Sequence, residues 1–416
     1  MATLPSLGQG PLKVSCLVET PVAGFRAGAA ASGLRKDGRI DLALIAAAEP
    51  VNAAAIFTKN LLAAAPVQVS RRHIAAGRAQ AILANSGGAN AATGAPGLAA
   101  AEACCHAAGA ALGCAAELVL PCSTGVIGQV LDAAKVSAAL PGLAAGLAPE
   151  GLTQAARAIM TTDAFTKMAE ERLELGGRPV TLVGMAKGAG MIHPDMATML
   201  CFVLTDAAAS PAALQQALTD AAAESFNRAS VDGDTSTNDT VILLASGRAG
   251  NPEPSPESTE LAAFTAALTR LCQRLAAMLV ADGEGASHLV LVRVTGAPDD
   301  AQALAHAFAI AHSPLCKTAL AGQDPNWGRI VSTAGAEAGR RGWPYAMDRL
   351  NLWIGEHLIC RDGLYAGMAA EQGAAAAMKE PRYGIRLDLG LGAGESWVLT
   401  SDLGHEYVNI NADYRS

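Results

Sequence analysis

Residues 187–200 read KGAGMIHPDMATML. An apolar run, Pro179–Met185, leads into them and reads as a strand. Lys187 is a lone cation at the end of that run, and Gly188-x-Gly190 turns the chain at once. A dinucleotide fingerprint does not fit, because the third glycine is absent and no helix follows. Past the loop the chain becomes apolar again, TMLCFVL over 198–204, which predicts a second strand beginning at Thr198. A threonine opening a strand is commonplace. A threonine hydroxyl becomes a useful nucleophile only beside a base, and the α-amine of an N-terminal threonine is such a base. That amine titrates near ~7.7–8.0, so it takes and returns a proton around neutrality. The chemistry requires a cut between Ala197 and Thr198.

Working outward, Ile40–Ala46 reads as a strand or a short buried helix, and AAAIFT before Lys59 and APVQVS before Arg71 read as strands. Gln80–Ala84 is a short apolar run stopped by the glycine- and asparagine-rich turn Asn85–Gly94. An Ala-rich helix is expected over 97–117, then a strand, Leu118–Pro121, opening into the turn Cys122-Ser123-Thr124-Gly125. Ser210-Pro211 supplies a cap and a first-turn proline for a helix. From Thr259 to Ala281 the apolar residues Leu261, Phe264, Leu268, Leu271, Leu275 and Met278 alternate spacings of three and four, one face of a long helix stopped at Asp282-Gly283. Leu289–Val294 reads as a buried strand, and IRLDLGLGAGESWVLTSD as a final hairpin. Strands mixed with long helices give an α/β layered class.

Composition agrees. The 416 residues correspond to two or three domains at roughly 150 residues each. Hydrophobic residues are 51% and charged residues 16%, which excludes a disordered chain. The net charge of −8 comes without any basic block, so nucleic acid is not an expected partner. The start, MATLPSLGQGPLKVSC, has neither a cationic head nor an apolar run, and the longest uncharged stretch, Ala79–Ala101, is too turn-rich for a bilayer. Nine cysteines without a CxxC pair, several in apolar runs, suit a reducing cytoplasm. Eight scattered histidines give no metal pattern, and DGDTSTNDT (232–240) fails the calcium-loop rule, with Gly233 at position two and Leu243 at position twelve. No metal is expected.

The blocks around the opening stretch, GFRAGAAASGLRKDGRIDLALI, FTKN, NSGGANAATG, CSTGVIG, MTTD, SFNRASVDGDTSTNDTV, ADGEGASH, SPLCKTALAGQDPNWGRI and YVNINADYRS, run in order over nearly the whole chain. Together with KGAGMIHPDMATML they resemble the ornithine acetyltransferase (glutamate N-acetyltransferase) family of arginine biosynthesis. The resemblance implies self-cleavage between Ala197 and Thr198 into fragments 1–197 and 198–416, interleaved in layered sheets flanked by helices, αββα-like, with Thr198 opening a central strand. It implies that Thr198 takes acetyl from N2-acetylornithine and passes it to glutamate in a ping-pong cycle. By the same resemblance Thr124 (hydroxyl) and Gly125 (N–H) form the oxyanion hole. Thr161 (or Thr162, if the alignment slips by one), Lys187, Thr198, Glu284, Asn411 and Ser416 bind substrate, with Glu284 facing the ammonium end. No cofactor is implied; some members accept acetyl-CoA as a second donor. The fragments are expected to associate as α2β2. Gly88 stands where Asn is usual, TTDAFTK lacks the customary Thr and Pro, and Ser416 replaces Thr. Two other readings remain: an amidohydrolase or aminopeptidase of the same N-terminal-nucleophile type, in which water resolves the acyl-enzyme, and an uncleaved metabolite-binding protein.

Overall fold

The computed structural model describes residues 4–193 and 199–412. Its strands are β1 (Phe25–Ala30), β2 (Leu42–Phe57), β3 (Arg78–Asn85), β4 (Val119–Ser123), β5 (Lys167–Leu175), β6 (Arg178–Lys187), β7 (Leu200–Thr205), β8 (Ala229–Ser230), β9 (Thr240–Ala245), β10 (Leu289–Ala297), β11 (Asn351–Ile354), β12 (His357–Arg361), β13 (Leu364–Tyr365), β14 (Arg382–Asp388) and β15 (Gly394–Ser401). Its helices are α1 (Ala65–His73), α2 (Gly94–Leu112), α3 (Ala133–Ala145), α4 (Leu152–Ala158), α5 (Pro211–Ala223), α6 (Thr259–Ala281), α7 (Asp300–His312), α8 (Pro314–Ala321), α9 (Trp327–Arg341), α10 (Met368–Ala377) and α11 (His405–Ala412).

Two sheets flanked by helices result, the expected α/β class. The first has the order β4-β3-β2-β9-β7-β6-β5, with β1 also on β2. The strands that follow position 198, β7 and β9, lie side by side and parallel between β2 and β6, so chain from before and after that position is interleaved in one sheet. The second sheet has the order β13-β12-β11-β14-β10-β15-β8. Helix α4 packs on β1 and β2, α5 on β2, α6 on β5 and β6, and α7 on β10 and β15. The long helix α6 matches the spacing argument at both ends: Ser258 caps it by accepting from Leu261 N–H, and Asp282 closes it. Its Leu261, Phe264, Leu268, Leu271 and Leu275 are buried in a core shared with α5 and the first sheet, so a helix apolar enough to cross a bilayer is here a core helix. Alanines at 213, 217, 221 and 222 form the matching face of α5, which is how an aromatic-poor chain packs its layers closely.

Three expectations change. Ile40–Ala46 and the AAAIFT run are one 16-residue strand, β2, with a register shift against β3 between Ala46 and Val51. APVQVS is not a strand but most of α1: Pro66 sits in its first turn, and Arg71, Arg72 and His73 face the negative end of its dipole. The alternation Val67-Gln68-Val69 spans too few residues to outweigh those end signals. The last two strands are not a hairpin, because β10 lies between them, parallel to β14 and antiparallel to β15.

Candidate functional site

The carboxyl ends of β3, β4 and β6 and the amino ends of β7 and β9 meet along one edge of the first sheet. Asn85 pairs with Ser123, Lys187 with Leu200, and Leu200 with Thr240. Just past β4, Thr124 and Gly125 are fixed by backbone bonds: Thr124 N–H donates to Asn85 O at 2.9 Å, and Gly88 N–H donates to Thr124 O at 3.1 Å. Ser123 Oγ donates to Asn85 Oδ1 (2.6 Å), while Asn238 Nδ2 donates to Ser123 O (2.9 Å) and Ala89 O (2.7 Å). Gly125 has φ +132°, and a Cβ there would stand 2.8 Å from Gly88 N, so no larger residue fits. Its N–H donates to none of the described residues.

Lys187 ends β6 with its side chain buried at 2% exposure, and its ammonium donates to Thr124 Oγ1 at 3.1 Å. A hydroxyl that accepts from a lysine keeps its own proton free to donate elsewhere. Burial pushes the Lys187 ammonium toward deprotonation, and Asp163, Glu284 and Asp239 oppose that. Asp163 opposes it most. Its Oδ1 accepts from Gly188 N–H (2.7 Å), its Oδ2 from Thr161 N–H (2.9 Å), and it pairs with Lys167 at 2.6 Å. Burial pushes the Asp163 carboxyl up, but Lys167 and Lys187 outweigh it and hold the group well below the usual carboxylate range. Lys167 also reaches Asp282 at 2.6 Å, and all three side chains are fully buried. Asp282 in turn accepts from Ala164 N–H at 2.9 Å. Its carboxyl is pushed up by burial, with Lys167 opposing.

The glycine turn after Lys187 meets a second group of residues. Glu284 N–H donates to Ala189 O at 2.8 Å, and Glu284 Oε2 accepts from Asn411 Nδ2 at 2.8 Å, so helix α11 is tied to the turn after α6. A Cβ on Gly190 would lie 2.5 Å from that carboxylate, so a larger residue there would displace the Glu284 side chain. Asp232 accepts from Met191 N–H (2.6 Å), Ile192 N–H (2.9 Å) and the Tyr407 hydroxyl (3.3 Å). Asp239, 0% exposed, accepts from Met199 N–H at 3.1 Å. The acids of the loop 232–240, which fail the calcium-loop rule in the sequence, bind main-chain amides.

Of the residues singled out in the sequence, Thr124, Gly125 and Lys187 are brought together, Thr161 joins them through Asp163, and Glu284 and Asn411 form the adjoining group. Ala197, Thr198 and Ser416 lie outside the described residues. Sequence reasoning missed Asp163, Lys167 and Asp282 as a buried unit, and Asp232 and Asp239 as amide acceptors. A signal existed: the four acids fall inside the quoted blocks and Lys167 ends the stretch TTDAFTK, in a chain where charge is scarce.

The model of the ArgJ family matches residues 26–416. The chain is 46% identical over 398 residues to the arginine biosynthesis bifunctional protein ArgJ of Brucella suis (94% of this chain, 95% of that one). It is 47% identical over 394 residues to the protein of that name from Nitratidesulfovibrio vulgaris (94% and 98%) and 45% over 396 residues to that from Methylococcus capsulatus (95% and 96%). Among solved structures it is similar to Bacillus halodurans ArgJ (TM-score 0.48, 40% identity, 51% of this chain, 97% of that one). It is also similar to Mycobacterium tuberculosis ornithine acetyltransferase complexed with ornithine (TM-score 0.38, 38% identity, 42% and 94%).

Proposed function

The chain belongs to the ArgJ family, and from that premise we propose that it moves acetyl from N2-acetylornithine to glutamate through an acetyl-Thr198 intermediate. The chain first cleaves itself: the Thr198 hydroxyl attacks the Ala197 carbonyl, the peptide nitrogen leaves as the α-amine of Thr198, and water opens the resulting ester. In the mature enzyme that α-amine takes the hydroxyl proton as Thr198 attacks the acetyl carbonyl, and returns it to the departing amine of ornithine. Glutamate then attacks the acetyl ester.

The observation that carries this reading is the contact between Lys187 and Thr124 beside Gly125. Lys187 fills an acceptor position of the Thr124 hydroxyl, leaving its proton and the Gly125 N–H as two fixed donors for a developing oxyanion. The ammonium adds a positive charge in a buried setting, where it acts more strongly than in water. Thr161 and Lys187 suit the α-carboxylate end of the substrate, Glu284 the side-chain ammonium of ornithine, and Asn411 orients Glu284. Ser416 would close the site from the carboxyl terminus. The scheme calls for no cofactor, and acetyl-CoA enters only as a second acetyl donor, in keeping with the word bifunctional in the relatives' names. The cleaved pairs assemble as α2β2, with no nucleic-acid or membrane partner, in the cytoplasm.

Two measurements test the proposal. A denaturing gel should show two fragments in place of one 42.0 kDa band, and Thr198→Ala should leave the chain whole and inactive. Labelled acetylornithine should label glutamate when glutamate is present. Free acetate as the only labelled product would overturn transfer in favour of hydrolysis. Running acetylornithine and acetyl-CoA as separate donors then decides the donor range.

A further inference from the structure

A cavity of about 370 Å³ opens between the loop 31–40, the end of α4 and the segment that enters β5. Arg35, Arg39 and Arg157 line it, with the hydroxyl residues Ser15 and Thr166 and the acid Asp163. In a chain whose net charge is −8, three guanidinium groups around one cavity are a local reversal of sign. The Arg157 guanidinium, in the last turn of α4, has no hydrogen bond or ion pair among the described residues. Arg35 is largely covered, at 18% side-chain exposure, and donates to Met160 O at 3.4 Å. Asp37 pairs with Arg39 at 2.8 Å and with Arg35 at 3.3 Å, but it is 44% exposed, and pairs so open to water are weak. The other acid, Asp163, is matched by Lys167. Three guanidinium groups against Asp37 therefore leave two positive charges uncompensated.

The loop that carries two of the arginines is anchored by its own contacts. Buried Asp41 accepts from Ser32 N–H at 2.6 Å and from Arg35 N–H at 2.9 Å, and the Lys135 ammonium donates to Gly33 O at 2.8 Å. A loop ordered in advance loses little freedom when a ligand arrives. Asp163, on the cavity wall, also accepts from Gly188 N–H and Thr161 N–H, so the cavity adjoins the group around Lys187 and Thr124.

We propose that this cavity binds a phosphate-bearing ligand, with Arg35, Arg39 and Arg157 as the donors to its anionic oxygens. A guanidinium offers paired N–H groups that match two oxygens of one phosphate, and three of them suit neighbouring phosphates better than a single carboxylate. The volume falls in the range of roughly 300–1,000 Å³ that small-molecule sites occupy. Two sources carry this chemistry. One is the phosphate end of acetyl-CoA, which rests on the reading of acetyl-CoA as a second donor. The other is a free phosphate compound acting as an effector.

The test is isothermal titration calorimetry on the full chain, cleaved or not, with coenzyme A, pyrophosphate and, as a carboxylate control, acetate. Wild type is compared with Arg39→Ala and Arg157→Ala; both side chains are exposed, so the fold survives their loss. Coenzyme A and pyrophosphate should bind the wild type, and each variant should weaken both about tenfold, the effect of one charge-assisted contact. Acetate should not bind. No binding of either phosphate probe at millimolar concentration, a change under threefold in both variants, or acetate binding as tightly as pyrophosphate overturns the proposal. Steady-state glutamate acetylation separates the sources. A KM for acetyl-CoA raised about tenfold in Arg157→Ala, beyond any change in KM for acetylornithine, assigns the cavity to the donor. A wild type that takes no acetyl from acetyl-CoA, or a variant whose KM for it is unmoved, assigns pyrophosphate binding through the arginines to a free phosphate compound. The first of those results removes acetyl-CoA from the proposed function and leaves the phosphate site standing, whereas arginine variants that bind like the wild type remove only the site.

Discussion

Replacing Lys167 with methionine keeps the length of the side chain and deletes the cation between Asp163 and Asp282. Both carboxylates are fully buried and each lies 2.6 Å from the lysine. Taking one partner from a buried ion pair leaves an uncompensated charge and costs about 3–5 kcal/mol. Unfolding entropy near the midpoint is about 2.1 cal/mol/K per residue, or about 0.9 kcal/mol/K for 416 residues, so the midpoint should fall by about 3–6 °C. The pH dependence identifies the cause. In the wild type the Asp163 carboxyl is held low, so its stabilising contribution is complete above the unfolded value near ~3.9 and does not change between pH 7.5 and 5. In the variant burial raises both carboxyls, Asp282 without a lysine to oppose it and Asp163 with only Lys187 left. The native state then binds more protons than the unfolded one above that value, so its stability increases as pH falls. The deficit should therefore be smaller at pH 5 than at pH 7.5. Scanning calorimetry in the uncleaved Thr198→Ala background measures both. A loss below 1 °C, or a deficit that does not shrink on acidification, would refute the view that Lys167 neutralises two buried acids.

Thr124→Val should lower kcat about 10²-fold with KM for acetylornithine little changed, because an oxyanion donor acts mainly in the transition state; a fall under fivefold in steady-state assays would remove its hydroxyl from the reaction. Glu284→Gln should raise KM for acetylornithine about tenfold, the loss of about 1.4 kcal/mol from one charge contact, with kcat changed less; an unchanged KM would place the ornithine ammonium elsewhere. Alkali should unfold the protein steeply. Burial pushes the thiols of Cys104, Cys105 and Cys272 up to about 12, so above pH 9 the unfolded chain loses protons that the native chain keeps, whereas Lys317, pushed down to about 8 by burial, works in the opposite direction up to about 10.5. The buried thiols of Cys122 and Cys201 are raised as well and the Lys187 ammonium is lowered, five groups against two, so stability should fall by at least about 2.7 kcal/mol per pH unit above pH 9, and urea midpoints that stay level between pH 9 and 10 would contradict it.

How far the sequence leads can be argued from single elements. Helix α6 was legible to the residue because its stripe, cap and stop are local, all within 25 positions of one another. The strands on either side of the 187–200 loop were legible for the same reason. The placement of α1 was not, because six residues of alternating valine fit two periods and only the proline and the basic last turn separate them. The apparent final hairpin failed for a different reason: strand order depends on which partner, here β10, offers the better buried face, and that partner lies about 90 residues away. The site divides in the same way. Glycine turns announce where backbone comes close to something, and Gly125 and Gly190 were visible as such turns. What they come close to was not visible, since Thr124 and Lys187 are 63 positions apart and Lys167 and Asp282 are 115 apart. Such contacts are set by sheet order. With β7 and β9 inserted between β2 and β6, the ends of β4 and β6 converge on the same edge as the residue that follows position 198, and a lysine at the last position of β6 can only point into that edge or out of the fold. Moving Lys187 one position along β6 would reverse its face, which ties the reactive group of residues to strand register more tightly than to the identity of any loop residue around it.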